Sequence, residues 1–223
     1  MPESLPGELL GVLFDMDGLL VDTEPLWFEV ESGVMARLGG SWGPSDQAAL
    51  VGGSLNRSLD YLLGKATRPA SRQTVARWML EGMVALLRTR PVPVMPGARE
   101  LISEVAAAGV PYGLVTSSEG PIMEAVLDRL EVTFPVTVCG DDVSHSKPDP
   151  EPYLLAAAKV GADPRQCVAL EDSPNGVGAA EAAGCVTVAV PSLVPIPPAS
   201  TRLVVTSLTE LSLDRLRALV AAG

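Results

Sequence analysis

The fold of this chain is decided by residues 12–24, which read VLFDMDGLLVDTE. An apolar run typical of a buried β-strand ends here in two carboxylates, Asp15 and Asp17, and then a glycine. Side chains at positions i and i+2 of a strand point the same way, and two acids on one dry face repel each other. Such a pair suits a divalent cation, or an acid that attacks an electrophile beside an acid that moves a proton. An Asp-Gly turn explains the same residues, so the segment alone leaves both interpretations open.

Composition limits the classes of protein to which the chain can belong. Its 223 residues suffice for one large α/β domain or for a core with a small accessory domain, and 47% of them are hydrophobic. A net charge of −11 argues against a nucleic-acid-binding surface, because there is no basic patch to neutralise phosphates. Small anionic substrates are compatible with this charge, since they need only one or two local cations.

The lack of a targeting pattern and the use of cysteine predict a cytoplasmic protein without a membrane partner. No apolar run is as long as a membrane span, and the first residues, MPESLP, lack the basic and long apolar regions of a signal peptide. Three cysteines without CxxC spacing, Cys139, Cys167 and Cys185, favour buried, reduced thiols over a disulfide framework or a zinc site.

Short apolar runs alternate with helical segments along most of the chain. Continuous apolar runs of this kind are typical of strands that are buried on both faces of a parallel sheet. We predict strands at 9–14, 112–116, 136–139, 167–170 and 186–190, with an edge strand at 203–206. The helices between them are predicted at 97–108, 121–130, 149–161 and 173–184. This alternation predicts an α/β fold with a doubly wound, Rossmann-like parallel sheet.

The region that follows the first strand breaks the alternation. It contains no good strand, and helical patterns occur instead at 26–38, 45–50, 55–63 and 71–90. A proline-rich stretch, 91–97, then leads back into the α/β part. We predict a core domain at 1–23 and 94–223, with a helical cap domain at 24–93. A cap inserted at this point lies above the carboxyl ends of the strands, where it can act as a lid.

Polar side chains also follow the other predicted strands at their carboxyl ends. The second strand is followed by the hydroxyl cluster Thr116–Ser118, which fits a helix cap as well as an anion site. Lys147 lies in the loop after the third strand, and the acidic pair Glu171 and Asp172 follows the fourth. In a doubly wound sheet these ends converge on one crevice. Together they supply a nucleophile, a proton donor, metal ligands, anion-binding donors and a cation, as phosphoryl transfer requires.

Four motifs in this order resemble the haloacid dehalogenase superfamily of phosphohydrolases. They are Asp-x-Asp-Gly at 15–18, Thr-Ser-Ser at 116–118, Lys-Pro-x-Pro at 147–150 and Glu-Asp-Ser-x-x-Gly at 171–176. The helical insertion resembles the beta-phosphoglucomutase-like branch with its small helical cap. Within that branch, the segment DTEPLW at 22–27 is most similar to hexitol and 2-deoxyglucose-6-phosphate phosphatases. The resemblance covers nearly the whole chain.

The resemblance implies catalytic and phosphate-binding roles for five residues. Asp15 would be the nucleophile that forms an aspartyl-phosphate. Asp17 would protonate the leaving alkoxide and then deprotonate the hydrolytic water. Thr116 and Ser117 would bind the transferring phosphoryl group by hydroxyl and amide, and Lys147 would balance charge between Asp15 and the phosphate. These roles suit a metaphosphate-like charge distribution that needs cations around it.

The resemblance also implies Mg²⁺ as cofactor. The Asp15 carboxylate, the Asp17 backbone carbonyl and Asp172 would hold the ion, and Glu171 would act close to it, through water or directly. The expected substrate is a small-molecule phosphate ester, most similar in class to a sugar or polyol phosphate. We expect a monomer, because a closing cap works well in a single chain.

Two other functions stay open on the sequence. A sugar phosphomutase of the beta-phosphoglucomutase type has a histidine in the first cap helix and an arginine in the second cap segment. Here Trp27 stands near the place of the histidine, and Arg57 is displaced from that of the arginine, so hydrolysis is favoured. Both are candidates for substrate contact, although Trp27 also fits a packing stripe within the cap. A catalytically silent binding module would typically lack Asp15 or Asp17, and both are present.

Overall fold

The computed structural model describes residues 7–222, in which six strands form one parallel sheet. The strands are β1 (Gly11–Phe14), β2 (Tyr112–Val115), β3 (Val136–Val138), β4 (Cys167–Glu171), β5 (Val186–Ala189) and β6 (Arg202–Val204). Their order across the sheet is β3-β2-β1-β4-β5-β6. All six predicted runs form strands with ends within two residues of the prediction, and the doubly wound α/β fold is confirmed.

The direction of winding reverses between β1 and β4, the two strands at the centre of the sheet. Phe14 of β1 pairs with Leu170 of β4 on one side and with Leu114 of β2 on the other. Asp15 and Glu171 therefore leave neighbouring strands at the same level. Ligands of such sheets bind in the crevice outside the carboxyl ends at this reversal.

Helices connect the strands and cover both faces of the sheet. The helices of the described residues are α1 (Glu24–Arg37), α2 (Pro44–Ala48), α3 (Leu55–Lys65), α4 (Arg72–Thr89), α5 (Ala98–Ala107), α6 (Gly120–Leu130), α7 (Glu151–Val160), α8 (Pro174–Ala183) and α9 (Leu213–Ala222). The first eight match predicted helices. Helix α9 lies in a segment for which the sequence pattern yields no prediction, and it is held by burial of Leu213, Leu216 and Val220.

The core of the α/β part has two apolar layers, one on each face of the sheet. Val12 and Phe14 of β1 belong to the layer that includes α5, α6 and α9, whereas Leu13 belongs to the layer that includes α7 and α8. Each central strand is thus buried on both faces, which explains its continuous apolar sequence. The free thiols of the three cysteines are buried as predicted, and burial raises the pKa of Cys167 and of Cys185 to about 12.

Helices α1 to α4 lie between β1 and α5 in the chain, and α4 packs against both α1 and α3. Buried residues of α4 recur every four positions, at Val75, Met79, Met83 and Leu87, and this apolar face packs against α1. The same helix contacts α6, so the apolar interior continues from the cap into the core. The division into domains at residues 23/24 and 93/94 stays a prediction. Across residues 7–222, no helix has the length and apolarity required to cross a bilayer.

Candidate active site

A buried lysine joins the carboxyl ends of β1, β2 and β4. The Nζ atom of Lys147 donates hydrogen bonds to Asp15 Oδ1 at 2.6 Å, to Glu171 Oε1 at 2.7 Å and to the carbonyl oxygen of Val115 at 2.8 Å. Its side chain is only 1% exposed. The three donors of the ammonium group therefore have one acceptor each, which fixes the lysine against Asp15.

Burial acts on both partners of this ion pair. Burial lowers the pKa of Lys147, but the carboxylates of Asp15 and Glu171 outweigh it and raise the pKa above its ordinary value. Burial also raises the pKa of Asp15, repulsion from Glu171 raises it further, and Lys147 opposes both effects. Lys147 is thus a permanent cation that favours the ionised form of Asp15, as a carboxylate nucleophile requires.

Glu171 has a second buried partner that the sequence does not reveal. Tyr153 of α7 donates its hydroxyl to Glu171 Oε1 at 2.5 Å. Burial raises the pKa of Tyr153 well above its ordinary value, and the charge of Glu171 adds to this, so the phenol stays a donor. Held by Tyr153 and Lys147, the Glu171 carboxylate orients the lysine towards Asp15. The sequence places Tyr153 in the first turn of α7, but no local pattern shows that this turn meets Glu171.

Three buried carboxylates form a group that suits a divalent cation. Asp15, Glu171 and Asp172 each have an oxygen within 4.8 Å of those of the other two. Burial raises the pKa of Asp172, repulsion from Glu171 adds to it, and Ser192 Oγ donates to Asp172 Oδ2 at 2.5 Å. Lys147 supplies one positive charge to three acids, which leaves negative charge that a hard cation with oxygen ligands would neutralise. The residues therefore fit Mg²⁺.

The backbone beside these carboxylates has to be glycine. Gly18 has a φ of +83°, and a Cβ atom there would lie 2.1 Å from Asp172 Oδ2. Both the left-handed conformation and the close approach exclude other residues. The glycine of the Asp-x-Asp-Gly motif is thus explained by the packing of Asp172 as well as by the turn.

We expect Mg²⁺ to raise the thermal unfolding midpoint by several degrees, and Asp172→Asn to abolish this shift. The pKa of Asp172 is raised in the folded state, so its contribution to stability is present below its unfolded value near 3.8 and is lost as pH rises. The metal-free wild type should accordingly lose stability with rising pH more steeply than Asp172→Asn does. Scanning fluorimetry from pH 5 to 9, with Mg²⁺ or with EDTA, measures both effects.

The control for this experiment is Asp128→Asn, the same change at an exposed acid. It should leave the Mg²⁺ shift and the pH profile as they are in the wild type. An equal Mg²⁺ shift in Asp172→Asn would remove Asp172 from the metal site.

Asp17 lies where the cap joins the core, and side chains from both parts hold its carboxylate. Oδ1 accepts from Thr23 Oγ1 at 2.5 Å and from the indole Nε1 of Trp27 at 3.4 Å. Oδ2 accepts from Ser118 Oγ at 2.8 Å and from Thr116 Oγ1 at 3.3 Å. The acid is only half-buried, so it is positioned by neutral donors and open to the cavity above it.

The hydroxyl cluster after β2 contains one donor without a partner. Thr116 Oγ1 accepts from the backbone N–H of Ser118 at 3.0 Å, which orders the turn. The Oγ atom of Ser117 is buried, yet no hydrogen-bond partner for it occurs in residues 7–222. An unsatisfied buried hydroxyl costs about 1–3 kcal/mol, so this atom marks a place where a bound group can accept a hydrogen bond.

One cavity lies between the strand ends and the cap helices. The core lines it with the predicted residues Asp15, Asp17, Thr116, Ser117 and Lys147. The cap lines it with Glu24, Trp27, Glu31, Gln47, Leu55 and Ser58, among others. Glu171 and Asp172 do not line the cavity but are buried behind Asp15 and Lys147. All seven predicted site residues thus meet at one place, while the role of each stays a prediction.

The cap touches the core beside the fourth strand end. Asn175 Nδ2 donates to the carbonyl oxygen of Val51 at 3.0 Å. Gly52 has a φ of +64°, and a Cβ atom there would lie 2.1 Å from Ser173 Oγ, so the cap loop can lie this close to the core only as glycine. The cap loop that lines the cavity therefore rests directly on the core, and its action as a lid stays a prediction.

Of the two cap residues predicted as candidates for substrate contact, Trp27 lies in the cavity and Arg57 lies outside it. Trp27 lines the cavity and also packs against the apolar core, so both of its predicted environments are present. Arg57 is exposed, and its guanidinium donates to the carbonyl oxygen of Ala49 at 2.8 Å. It is not part of the cavity lining, where Leu55 lies instead. His145, the single histidine, is 71% exposed and bonds Glu151 outside the site.

Two acids of the cavity, Glu24 and Glu31, were missed from the sequence. With Trp27 they occupy positions i, i+3 and i+7 of α1, which is one face of a helix. The apolar stripe of α1, formed by Trp27, Val30 and Val34, shares Trp27 with this polar face. The stripe therefore favoured packing of this helix within the cap. A polar stripe that flanks the known motif was the signal available.

Comparisons with known proteins agree with this geometry. A family model described as haloacid dehalogenase-like hydrolase matches residues 12–190. Hexitol phosphatase B of Escherichia coli (strain K12) is 35% identical over 194 residues, 85% of this chain and 86% of that protein. CbbY from Rhodobacter sphaeroides, crystallised with phosphate, has a TM-score of 0.85 and 29% identity, covering 93% of this chain and 99% of that one. Beta-phosphoglucomutase from Clostridium difficile shares the fold, with a TM-score of 0.84 at 22% identity over 96% of this chain and 98% of that one.

Proposed function

The chain belongs to the haloacid dehalogenase-like hydrolase family, and on this basis we propose that it is a phosphatase that requires Mg²⁺ and hydrolyses a small phosphorylated sugar or polyol. One observation carries the proposal: Asp15, buried and bonded to Lys147, shares a cavity with Asp17 and with the unpartnered hydroxyl of Ser117. The identity of 35% to a hexitol phosphatase supports the substrate class. A small-molecule substrate, a monomeric state and a cytoplasmic location are part of the proposal, with neither nucleic acid nor membrane as partner.

The first step transfers the phosphoryl group to the protein. A carboxylate oxygen of Asp15 attacks phosphorus, and the bond between phosphorus and the ester oxygen breaks. Asp17 gives its proton to the departing oxygen, so that an alcohol leaves instead of an alkoxide. The product on the protein is an aspartyl-phosphate at Asp15.

The second step returns the nucleophile. Asp17, now ionised, takes a proton from a water molecule, and the oxygen of that water attacks phosphorus. The bond between phosphorus and the Asp15 oxygen breaks, which releases inorganic phosphate. The four hydrogen bonds that position the Asp17 carboxylate keep it close to both reacting oxygens.

The remaining residues act on the charge of the phosphoryl group. Thr116 and Ser117 donate to its oxygens, and Lys147 places a fixed positive charge beside Asp15. Mg²⁺, when held by Asp15, Asp172 and the Asp17 carbonyl with Glu171 close by, would add positive charge against the phosphoryl oxygens. The two anionic reactants can therefore approach each other.

We expect the purified protein to release phosphate from an aryl phosphate and from a hexitol 6-phosphate with Mg²⁺, and not with EDTA. Malachite green detection of phosphate measures both reactions. Incubation with a hexose 1-phosphate separates the phosphatase from a mutase, since a mutase accumulates the 6-phosphate isomer and a phosphatase releases phosphate. Neither product with Mg²⁺ would indicate a binding module, and isomer without phosphate would indicate a mutase.

A further inference from the structure

The part of the cavity that the cap forms is acidic and lacks a cation. Its polar lining includes Glu24, Glu31, Gln47 and Ser58, and among the described residues that line the cavity the only cation is Lys147. The three donors of Lys147 are bound to Asp15, Glu171 and Val115. All donors of the lysine are thus used at the catalytic end, and no other described residue that lines the cavity carries a positive charge.

Glu31 is the most unusual of these cap residues. It is only 3% exposed, and its Oε2 atom makes no hydrogen bond in the structure described, where the indole Nε1 of Trp42, a side chain that acts on this carboxyl group, is unpaired as well. Nearly all buried polar groups in proteins are hydrogen-bonded, so an unpaired carboxyl oxygen beside a cavity indicates a place for a ligand atom. Burial, reinforced by the charge of Glu24 and opposed by the indole of Trp42, raises the pKa of Glu31 to about 8. At neutral pH the group is a carboxylic acid, which both donates and accepts hydrogen bonds.

Glu24 is oriented by its neighbour on α2. Gln47 Nε2 donates to Glu24 Oε2 and to the Glu24 carbonyl oxygen, both at 2.8 Å. Burial raises the pKa of Glu24 to about 7, and Asp17 contributes to this. Gln47 thus holds a second carboxyl group in place one turn before Trp27, on the cavity face of α1.

We propose that the cap recognises the leaving group as a neutral, polyhydroxylated chain, that Glu31 is its specificity-determining residue, and that esters with a second anionic group are rejected. The inference rests on the proposed phosphatase function for the chemistry at Asp15. A hydroxyl group satisfies the unpaired oxygen of Glu31 by donating to it. A carboxylate or second phosphate would instead lose its hydration at an end of the cavity where no described lining residue supplies a cation, which costs several kcal/mol.

This selectivity would distinguish the protein from enzymes of the same fold that act on substrates with a second anionic group. A mutase has to hold a sugar bisphosphate, and its second phosphate would lie in the cap end. A carboxylated ester such as phosphoglycolate would place its carboxylate there. Both are excluded for the same electrostatic reason, whereas a hexitol phosphate presents only hydroxyl groups.

The experiment compares kcat/KM for four esters with Mg²⁺: a hexitol 6-phosphate, phosphoglycolate, fructose 1,6-bisphosphate and 4-nitrophenyl phosphate. The wild type should prefer the hexitol ester over phosphoglycolate and the bisphosphate, the two esters with a second anionic group, by about 100-fold or more. In Glu31→Leu, the ratio of kcat/KM for the hexitol ester to that for the nitrophenyl ester should fall about 10- to 100-fold. Glu31→Gln keeps a donor and an acceptor and should retain most of this ratio.

The matched control is Glu29→Leu, the same change on the exposed side of α1, where Glu29 pairs with Arg90. Its substrate ratio should equal that of the wild type. Because Glu31→Leu removes an unpaired buried carboxyl group, it should unfold at no lower temperature than the wild type, which distinguishes lost recognition from lost folding.

An unchanged ratio in Glu31→Leu, or a wild type that prefers phosphoglycolate or the bisphosphate, would overturn the inference while the phosphatase function stood. No release of nitrophenol by the wild type would instead overturn the proposed function, and this inference with it.

Discussion

Asp15→Asn is expected to lower kcat for phosphate release by about 10³-fold or more, because an amide cannot serve as the nucleophile. The change leaves the neighbouring contacts in place, since Lys147 keeps Glu171 and the Val115 carbonyl as acceptors. The loss should therefore appear in kcat while the protein stays folded. Steady-state phosphate release at saturating substrate and Mg²⁺ measures it.

The stability of this variant is an independent readout. Burial raises the pKa of Asp15, so removing its charge should raise the unfolding midpoint of the metal-free protein. A hexitol phosphate should still bind, and calorimetry with the inactive variant tests this. Turnover within tenfold of the wild type would show that Asp15 is not the nucleophile and would refute the proposed mechanism. Asp128→Asn again serves as the matched control.

Lys147→Met is expected to lose both activity and stability. It leaves the carboxylates of Asp15 and Glu171 buried without their cation, and breaking a buried ion pair in this way costs about 3–5 kcal/mol. The same change removes the positive charge beside the attacking oxygen, so kcat should fall by about 10²-fold or more. Denaturant unfolding in EDTA measures the free energy, and phosphate release with Mg²⁺ measures the rate.

The pH dependence of this variant has a definite sign. Without Lys147, the pKa of Asp15 rises further above its unfolded value, because the lysine is the group that lowers it. The associated stability is present below the unfolded value and is lost as pH rises. Lys147→Met should therefore be least destabilised near pH 5 and most destabilised above pH 7.

Two further variants separate charge from packing. Lys147→Met combined with Glu171→Gln should regain part of the stability, because one buried charge is gone, but not the activity. Lys159→Met, the same change at a partly exposed lysine, should leave both near wild type. If Lys147→Met were as stable as Lys159→Met, the buried ion pairs would not carry the free energy assigned to them.

The sequence alone determined the secondary structure and the chemistry of the strand ends. Strands buried on both faces must be continuously apolar, and helices need caps, prolines and glycines at their ends, so both leave local patterns. Asp15, Asp17 and Asp172 stood out because charged groups at the end of an apolar run are unusual, and Lys147 lay in the loop after the third predicted strand. The four motifs and their order along the chain then indicated the family, which the comparisons confirm.

Only the tertiary structure decided which of these groups touch. Lys147 donates a hydrogen bond to Asp15, which is 132 residues away in the sequence. No local pattern predicts the strand order that brings β1, β2 and β4 together. For the same reason Tyr153 and Glu31 were missed, and Arg57, a candidate for substrate contact on the sequence, lies outside the cavity lining. Periodicity assigns a residue to a face of its helix, but the contacts of that face depend on how distant segments pack. Here the cap residues that line the cavity include Glu24 and Glu31 and do not include Arg57.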